Sequence, residues 1–469
     1  MTADGDLAML PATELLRLYR RKQLSPVETT AATLAHIEAL NGSLNAFRFV
    51  APDQALAAAR ASEARWFQGE PQGLLDGVPA TIKDQWLSRG WSTLMGSLTV
   101  SPDGPWDEDS PAVARMRAHG AVFLGKTNEP EFGWKGVTDS RLTGISRNPW
   151  NPERTCGGSS GGAAIAAATG MGALNIGSDG AGSIRMPAAF CGVYGLKSTF
   201  GRVPAYPFGL LPASSHTGPL VRTVADAALM LTVISEPDAR DWLGLPHDGR
   251  DWRLGIDDGV RGLRIAYSRT LGYAWADSEI LALTDAAAET FAELGAIVEE
   301  VDPGFDDPRA PFETLYTAAM AATLESVPAE KQALMDPGYL ATAELGRHYT
   351  AGDVLRALMV RDGLGRHMNA FHQNWDLLLS PQLPLTAFAA GVDFPAGRGM
   401  SSWFDWSPFA YPFNLTQQPA ASVPCGFTPE GLPAAVQVVA ARYREDLVLR
   451  ASRAYEAVHP FRMPSSTKG

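Results

Sequence analysis

Two serines, Ser159 and Ser183, stand 24 residues apart in the glycine-rich segment from Gly157 to Pro187. Each is flanked by residues small enough for a substrate to meet bare backbone. Serine is a poor nucleophile at its ordinary pKa, so an activating partner must take its proton. No histidine lies close in sequence, the nearest being His119 and His216. A lysine is better placed. Lys83 ends the run Val78-Pro79-Ala80-Thr81-Ile82, which reads as a short buried strand. Bringing a lysine from its ordinary pKa of about 10.4 to near 7 corresponds to about 4–5 kcal/mol against the charged form. Desolvation at the end of a sheet strand can supply that. Asp84 would oppose the shift if it faced Lys83, but strand alternation points adjacent side chains to opposite faces.

In this order, GVPATIKD (Gly77 to Asp84), GGSSGG (Gly157 to Gly162) and SDGAGSIRMP (Ser178 to Pro187) resemble the motifs of the amidase signature family. The resemblance continues through AAFCGVYGLKSTFGRVP, YPFNLTQQPAASVPCGF and GLPAAVQVVA, and is weakest from Pro303 to Asp376. It implies a Ser–cis-Ser–Lys triad in which Ser183 is the nucleophile, Ser159 the bridging serine and Lys83 the base. Ser159 would follow a cis Gly158–Ser159 bond, and Ser160 is the local competitor for its role. The backbone amides of Gly180, Ala181, Gly182 and Ser183 would form the oxyanion hole. Asp179 and Arg185 would support the loop, and Thr138 would contact substrate. The usual family string D-T-G-G-S is altered at Gly180 and Ala181, which keeps the backbone donors but adds a methyl.

The same resemblance implies cofactor-free hydrolysis of a small-molecule amide through an acyl-enzyme. Esters and carbamates pass through the same tetrahedral chemistry and are the nearest alternatives. A further branch of the family is the glutaminase component of a tRNA-dependent amidotransferase. That component commonly carries glutamine where Met186 stands here. Homodimers are usual among relatives.

The elements that must position these groups alternate in type. Ser25-Pro26-Val27-Glu28 offers a capping box, and apolar residues at helical spacing follow until Asn41-Gly42. Ser110-Pro111 opens a second helix, with a buried strand at Ala121 to Gly125. Helix then buried strand recurs at Gly161–Thr169 with Gly172–Ile176, and at Ser278–Leu294 with Ala296–Val301. Short β-runs appear at Leu263–Tyr267, Asp376–Leu379 and Ala434–Val439. Such alternation predicts an α/β fold, a large mixed, mostly parallel sheet flanked by helices. One domain, 1–469, is expected. It would comprise N-terminal helices (1–70), a catalytic core (71–235), a helical, variable wall over the site (303–376) and the C-terminal part of the core (405–457). The aromatic run Trp403, Phe404, Trp406, Phe409 and Tyr411 either packs the core or lines an apolar acyl- or aryl-binding pocket.

Composition excludes several classes. The chain has 469 residues, 45% hydrophobic and 19% charged, an ordinary globular balance. Its net charge of −12 comes without any Lys/Arg-rich run, which argues against a nucleic-acid partner. Cys156, Cys191 and Cys425 form no C-x-x-C pair, so reduced thiols in a cytoplasmic protein fit best. The acidic start lacks a signal peptide's basic region, and no apolar run is long enough to span a membrane. Neither a phosphate-binding G-x-x-x-x-G-K-[ST] nor H-E-x-x-H occurs. The only S-x-x-K, Ser465 to Lys468, falls in a tail expected to be disordered from Pro464.

Overall fold

The capping box at Ser25 forms: the helix Pro26–Leu44 starts with the Ser25 hydroxyl accepting from the Val27 amide at 3.0 Å and Glu28 accepting in return from the Ser25 amide. It runs past Asn41-Gly42, because the Asn41 side chain reaches forward to accept from the amides of Ala46 and Phe47. The left-handed Asn45 (φ 52°) then ends it. A strand follows where helix alone was expected. β1 (Phe47–Val50) separates this helix from Pro52–Gln68.

The computed structural model describes residues 7–207, 211 and 214–464. The Ser465–Lys468 motif lies outside them. Beyond β1 the strands are β2 (Pro79–Lys83), β3 (Val122–Thr127), β4 (Asp139–Ser140), β5 (Gly144–Ile145), β6 (Leu174–Asp179), β7 (Tyr194–Lys197) and β8 (His216–Val221). They continue with β9 (Arg264–Tyr267), β10 (Ile297–Glu300), β11 (Leu377–Pro381), β12 (Ala420–Phe427) and β13 (Pro433–Ala440). Eleven form one mixed sheet in the order β1-β3-β2-β6-β8-β7-β12-β13-β11-β9-β10. Parallel pairing occupies two blocks, β3-β2-β6 and β11-β9-β10, and the strands between them pair antiparallel. The first block carries the site.

Helices cover both faces. Gly161–Ala168 is made of glycine and alanine apart from Ile165 and is buried throughout, which lets it lie close against β6. β10 departs from expectation: it is a sheet edge, and Ile297 is 51% exposed. The region from 303 to 374 is helical, in Arg309–Glu325, Ala329–Gln332, Pro337–Gly346 and Ala351–Phe371. Its first helix packs on the aromatic run. Phe312 stacks on Tyr411 at 4.9 Å, and Tyr316 meets Trp403 edge-on at 5.6 Å. These rings share one buried apolar cluster with Ala181 and Met186 beside Ser183.

Candidate active site

Strands β2, β3 and β6 run parallel, with one register shift at Ala80/Thr81 in the β2–β3 pair, so their carboxyl ends open on one side of the sheet, where α/β sheets commonly bind ligands. Lys83 is the last residue of β2, opposite Thr127 of β3. Asp179 ends β6, and the segment after it carries Ser183. The Lys83 amine is fully buried, with Nζ 2.6 Å from Ser159 Oγ and 2.9 Å from Ser178 Oγ. Asp84 turns the other way, as alternation requires, and pairs with Arg48 at 2.8 Å.

Ser159 sits in a tight backbone crossing. The Gly158–Ser159 peptide is cis. A Cβ on Gly158 would lie 2.6 Å from the Val137 carbonyl, so only glycine fits there. Thr138 adjoins this crossing. It is buried, donates to the Gly157 carbonyl at 2.8 Å and accepts from the Gly161 amide at 3.1 Å, which clamps the serine loop. Ser160 is likewise committed, donating to the Ser178 carbonyl and accepting from its amide. Its own amide donates to the Ser183 carbonyl at 3.1 Å and ties the two serine loops together.

The loop of Ser183 is built on Asp179. Its carboxylate accepts from the amides of Gly182 (2.7 Å) and Ile184 (3.2 Å) and from the Arg185 guanidinium at 2.9 and 3.0 Å. Arg185 spends its other donors on the Ala410 carbonyl, Asn414 Oδ1 and Gln437 Oε1. Burial alone would raise the Asp179 pKa, but the charge and hydrogen bonds of Arg185 hold it well below the usual carboxylate range. Both residues brace the loop.

This bracing engages one of the four amides expected to face an oxyanion. The Gly182 amide is already spent on Asp179, which leaves those of Gly180, Ala181 and Ser183. Gly182 alone of these four has positive φ, at 113°, so the Ala181 methyl imposes no left-handed strain. His216 lies beneath the loop, with Nδ1 3.0 Å from the Asp179 carbonyl oxygen, and burial pushes its pKa well down. It is bonded to backbone rather than to a serine. Exposure is 0% at Lys83, 2% at Ser159 and 7% at Ser183. The amine is sealed, and all three side chains are buried.

One residue escaped sequence reasoning. Glu129, just beyond β3, is fully buried with Oε2 3.4 Å from Lys83 Nζ. Among the described residues its two oxygens have no hydrogen-bond partner. Burial lowers the Lys83 pKa, against the pull of Glu129 and Asp179. Burial also pushes the Glu129 carboxyl up to about 7, against the pull of Lys83. Glu129 sits in the string KTNEPEFGW, where it reads as an ordinary loop charge. Nothing local marked its burial.

No helix of the described residues is long and apolar enough to cross a membrane, and no cluster of three His, Cys, Asp or Glu side chains there is arranged to hold a metal ion.

A family model described as Amidase matches residues 28–449. An acylamidase of Rhodococcus erythropolis is 36% identical, over 98% of this chain and 97% of its own. A glutamyl-tRNA(Gln) amidotransferase subunit of Moorella thermoacetica is 34% identical, over 96% and 97%. Among solved structures, a bacterial aryl acylamidase of the amidase signature enzymes superposes with a TM-score of 0.91 at 31% identity, covering 97% of this chain and 98% of that one. A 6-aminohexanoate cyclic dimer hydrolase reaches 0.88 at 30% identity, covering 99% and 100%.

Proposed function

The chain belongs to the amidase signature family, hydrolases of carbon–nitrogen amide bonds, and we propose that it cleaves small apolar or aromatic amides with Ser183 as nucleophile, Ser159 as proton bridge and Lys83 as base. The observation that carries this reading is the buried amine of Lys83, 2.6 Å from Ser159 Oγ behind the loop of Ser183. Burial favours the uncharged amine, the only form able to accept a proton.

In the first step the Ser183 oxygen bonds to the amide carbon. Its proton passes to Ser159 Oγ, whose own proton goes to Lys83 Nζ. The carbonyl oxygen becomes an oxyanion, held by the amides of Gly180, Ala181 and Ser183; each such donor is worth about 10²–10³ in rate. Collapse breaks the C–N bond, and the leaving nitrogen takes the proton back along the same path. Water then repeats the sequence on the acyl-enzyme, releasing the acid and restoring Ser183.

Similarity to the acylamidase and aryl acylamidase relatives supports an apolar acyl or aryl group. A carbamate or ester substrate would use the same atoms. Glutamine hydrolysis in partnership with an amidotransferase is the remaining reading, favoured by similarity to the amidotransferase relatives. A hydrolysis panel of nitroanilide, ester, carbamate and glutamine, run on the parent and on Ser183→Ala, tests this. Turnover of the anilide that vanishes in Ser183→Ala is expected. Full activity in that variant, or glutamine as the sole substrate, overturns the assignment.

A further inference from the structure

Around Lys83 Nζ lie three polar atoms: Ser159 Oγ at 2.6 Å, Ser178 Oγ at 2.9 Å and Glu129 Oε2 at 3.4 Å. A neutral amine has two N–H bonds and one lone pair to distribute among them. Ser178 already donates its proton to Gln85 Oε1, so toward Lys83 it can only accept. A carboxylate also only accepts. If Ser178 and Glu129 take the two N–H groups, the lone pair is left facing the Ser159 hydroxyl.

We propose that Glu129 is a positioning residue for the catalytic base: its carboxylate takes one N–H of Lys83, turns the lone pair onto Ser159, and through its charge sets the pH at which the amine gives up its extra proton. The inference rests on the reading of Lys83 as base. Glu129 is suited to the task because its oxygens have no other hydrogen-bond partner among the described residues and both groups are sealed from water, where a charge acts strongly. A Cβ built on Gly133 would lie 3.2 Å from Ser159 Oγ and 3.4 Å from Glu129 Oε2, so the carboxyl and the bridging hydroxyl border the same small space.

Other charges facing the pair are already matched. Just beyond β2, Asp84 is held by Arg48, and Lys126 of β3 lies 3.7 Å from Asp84. On β6, Asp179 is held by Arg185. Glu131, on the same loop as Glu129, turns to the Ser97 hydroxyl and the Asp336 amide. The helix Gly161–Ala168 and the loop of Ser159 bring no charge. Glu129 is thus the close counter-charge of the base.

The sign of the effect follows. A carboxylate beside Lys83 stabilises the ammonium and delays release of its proton as pH rises. Glu129→Gln keeps an accepting oxygen and removes the charge, so the amine forms at lower pH. The acid limb of kcat/KM on an anilide should move down by about 1–3 pH units, the usual effect of an opposite charge within 4–6 Å. Glu129→Asp, with the charge drawn back, should fall between parent and Gln. A limb that stays in place in both variants, whether or not the rate falls, overturns the proposal, because a merely structural role lowers activity without moving the profile. Should the Gln variant not fold, the Asp limb decides alone. Lys83→Ala, run beside them, separates the two levels: retained activity there removes the base itself, not only Glu129.

Discussion

Arg185→Met tests how the nucleophile loop is held. Arg185 is completely buried, and its donors go to Asp179 twice, Ala410, Asn414 and Gln437. Methionine fills much of the volume but strands the Asp179 charge. Breaking a buried pair by removing one partner costs about 3–5 kcal/mol. Asp179 would still accept from the amides of Gly182 and Ile184 and from Asn414 Nδ2, so the lower end, about 3 kcal/mol, is expected. Urea unfolding followed by the fluorescence of the 12 tryptophans measures it. The pH dependence adds a second reading. The folded Asp179 pKa lies below the ordinary 3.8, so its stabilisation is present above that value and lost as pH falls through the folded one. Without Arg185 the depression shrinks, and the acid-side slope of stability should flatten. Arg185→Lys cannot reproduce the two-pronged contact and should recover less than half of the loss. A cost under about 1 kcal/mol, the scale of an exposed pair, or full rescue by lysine, would refute the reasoning.

Two further substitutions probe the backbone around the serines. Gly182→Ala would place its Cβ 2.6 Å from the Ala410 methyl at a φ of 113°, so a loss of about 10²-fold or more in kcat is expected from a displaced oxyanion site, with circular dichroism confirming the fold. Thr138→Val would leave the Gly161 amide unpaired and cost about 1–3 kcal/mol of stability. Its kcat should fall with KM little changed; a rise in KM alone would return Thr138 to a substrate-binding role.

Much of this site is legible along the chain. Lys83 closes an apolar run, and that run is a strand buried at every position. The serine segment is marked by its glycines, which are needed where backbone crosses backbone, as Gly158 does under Val137. The capping box at Ser25 is equally plain, because its bonds join residues two and three apart. These signals survive in one dimension because the forces behind them act between near neighbours.

What the sequence determined by itself, then, is which side chains could do acyl transfer and which local elements carry them. Tertiary structure decided their surroundings. Sheet order laid β3 beside β2 and so brought Glu129 against Lys83, although 46 positions separate them in the chain. Folding of the Asp179 loop claimed the Gly182 amide that the motif alone left available. The same packing turned Thr138 inward onto the serine loop and set β10 at an open edge. The reason is common to all four: which groups lose water, and which partner they then find, depends on segments far apart in sequence, and a string of residues carries no measure of that distance.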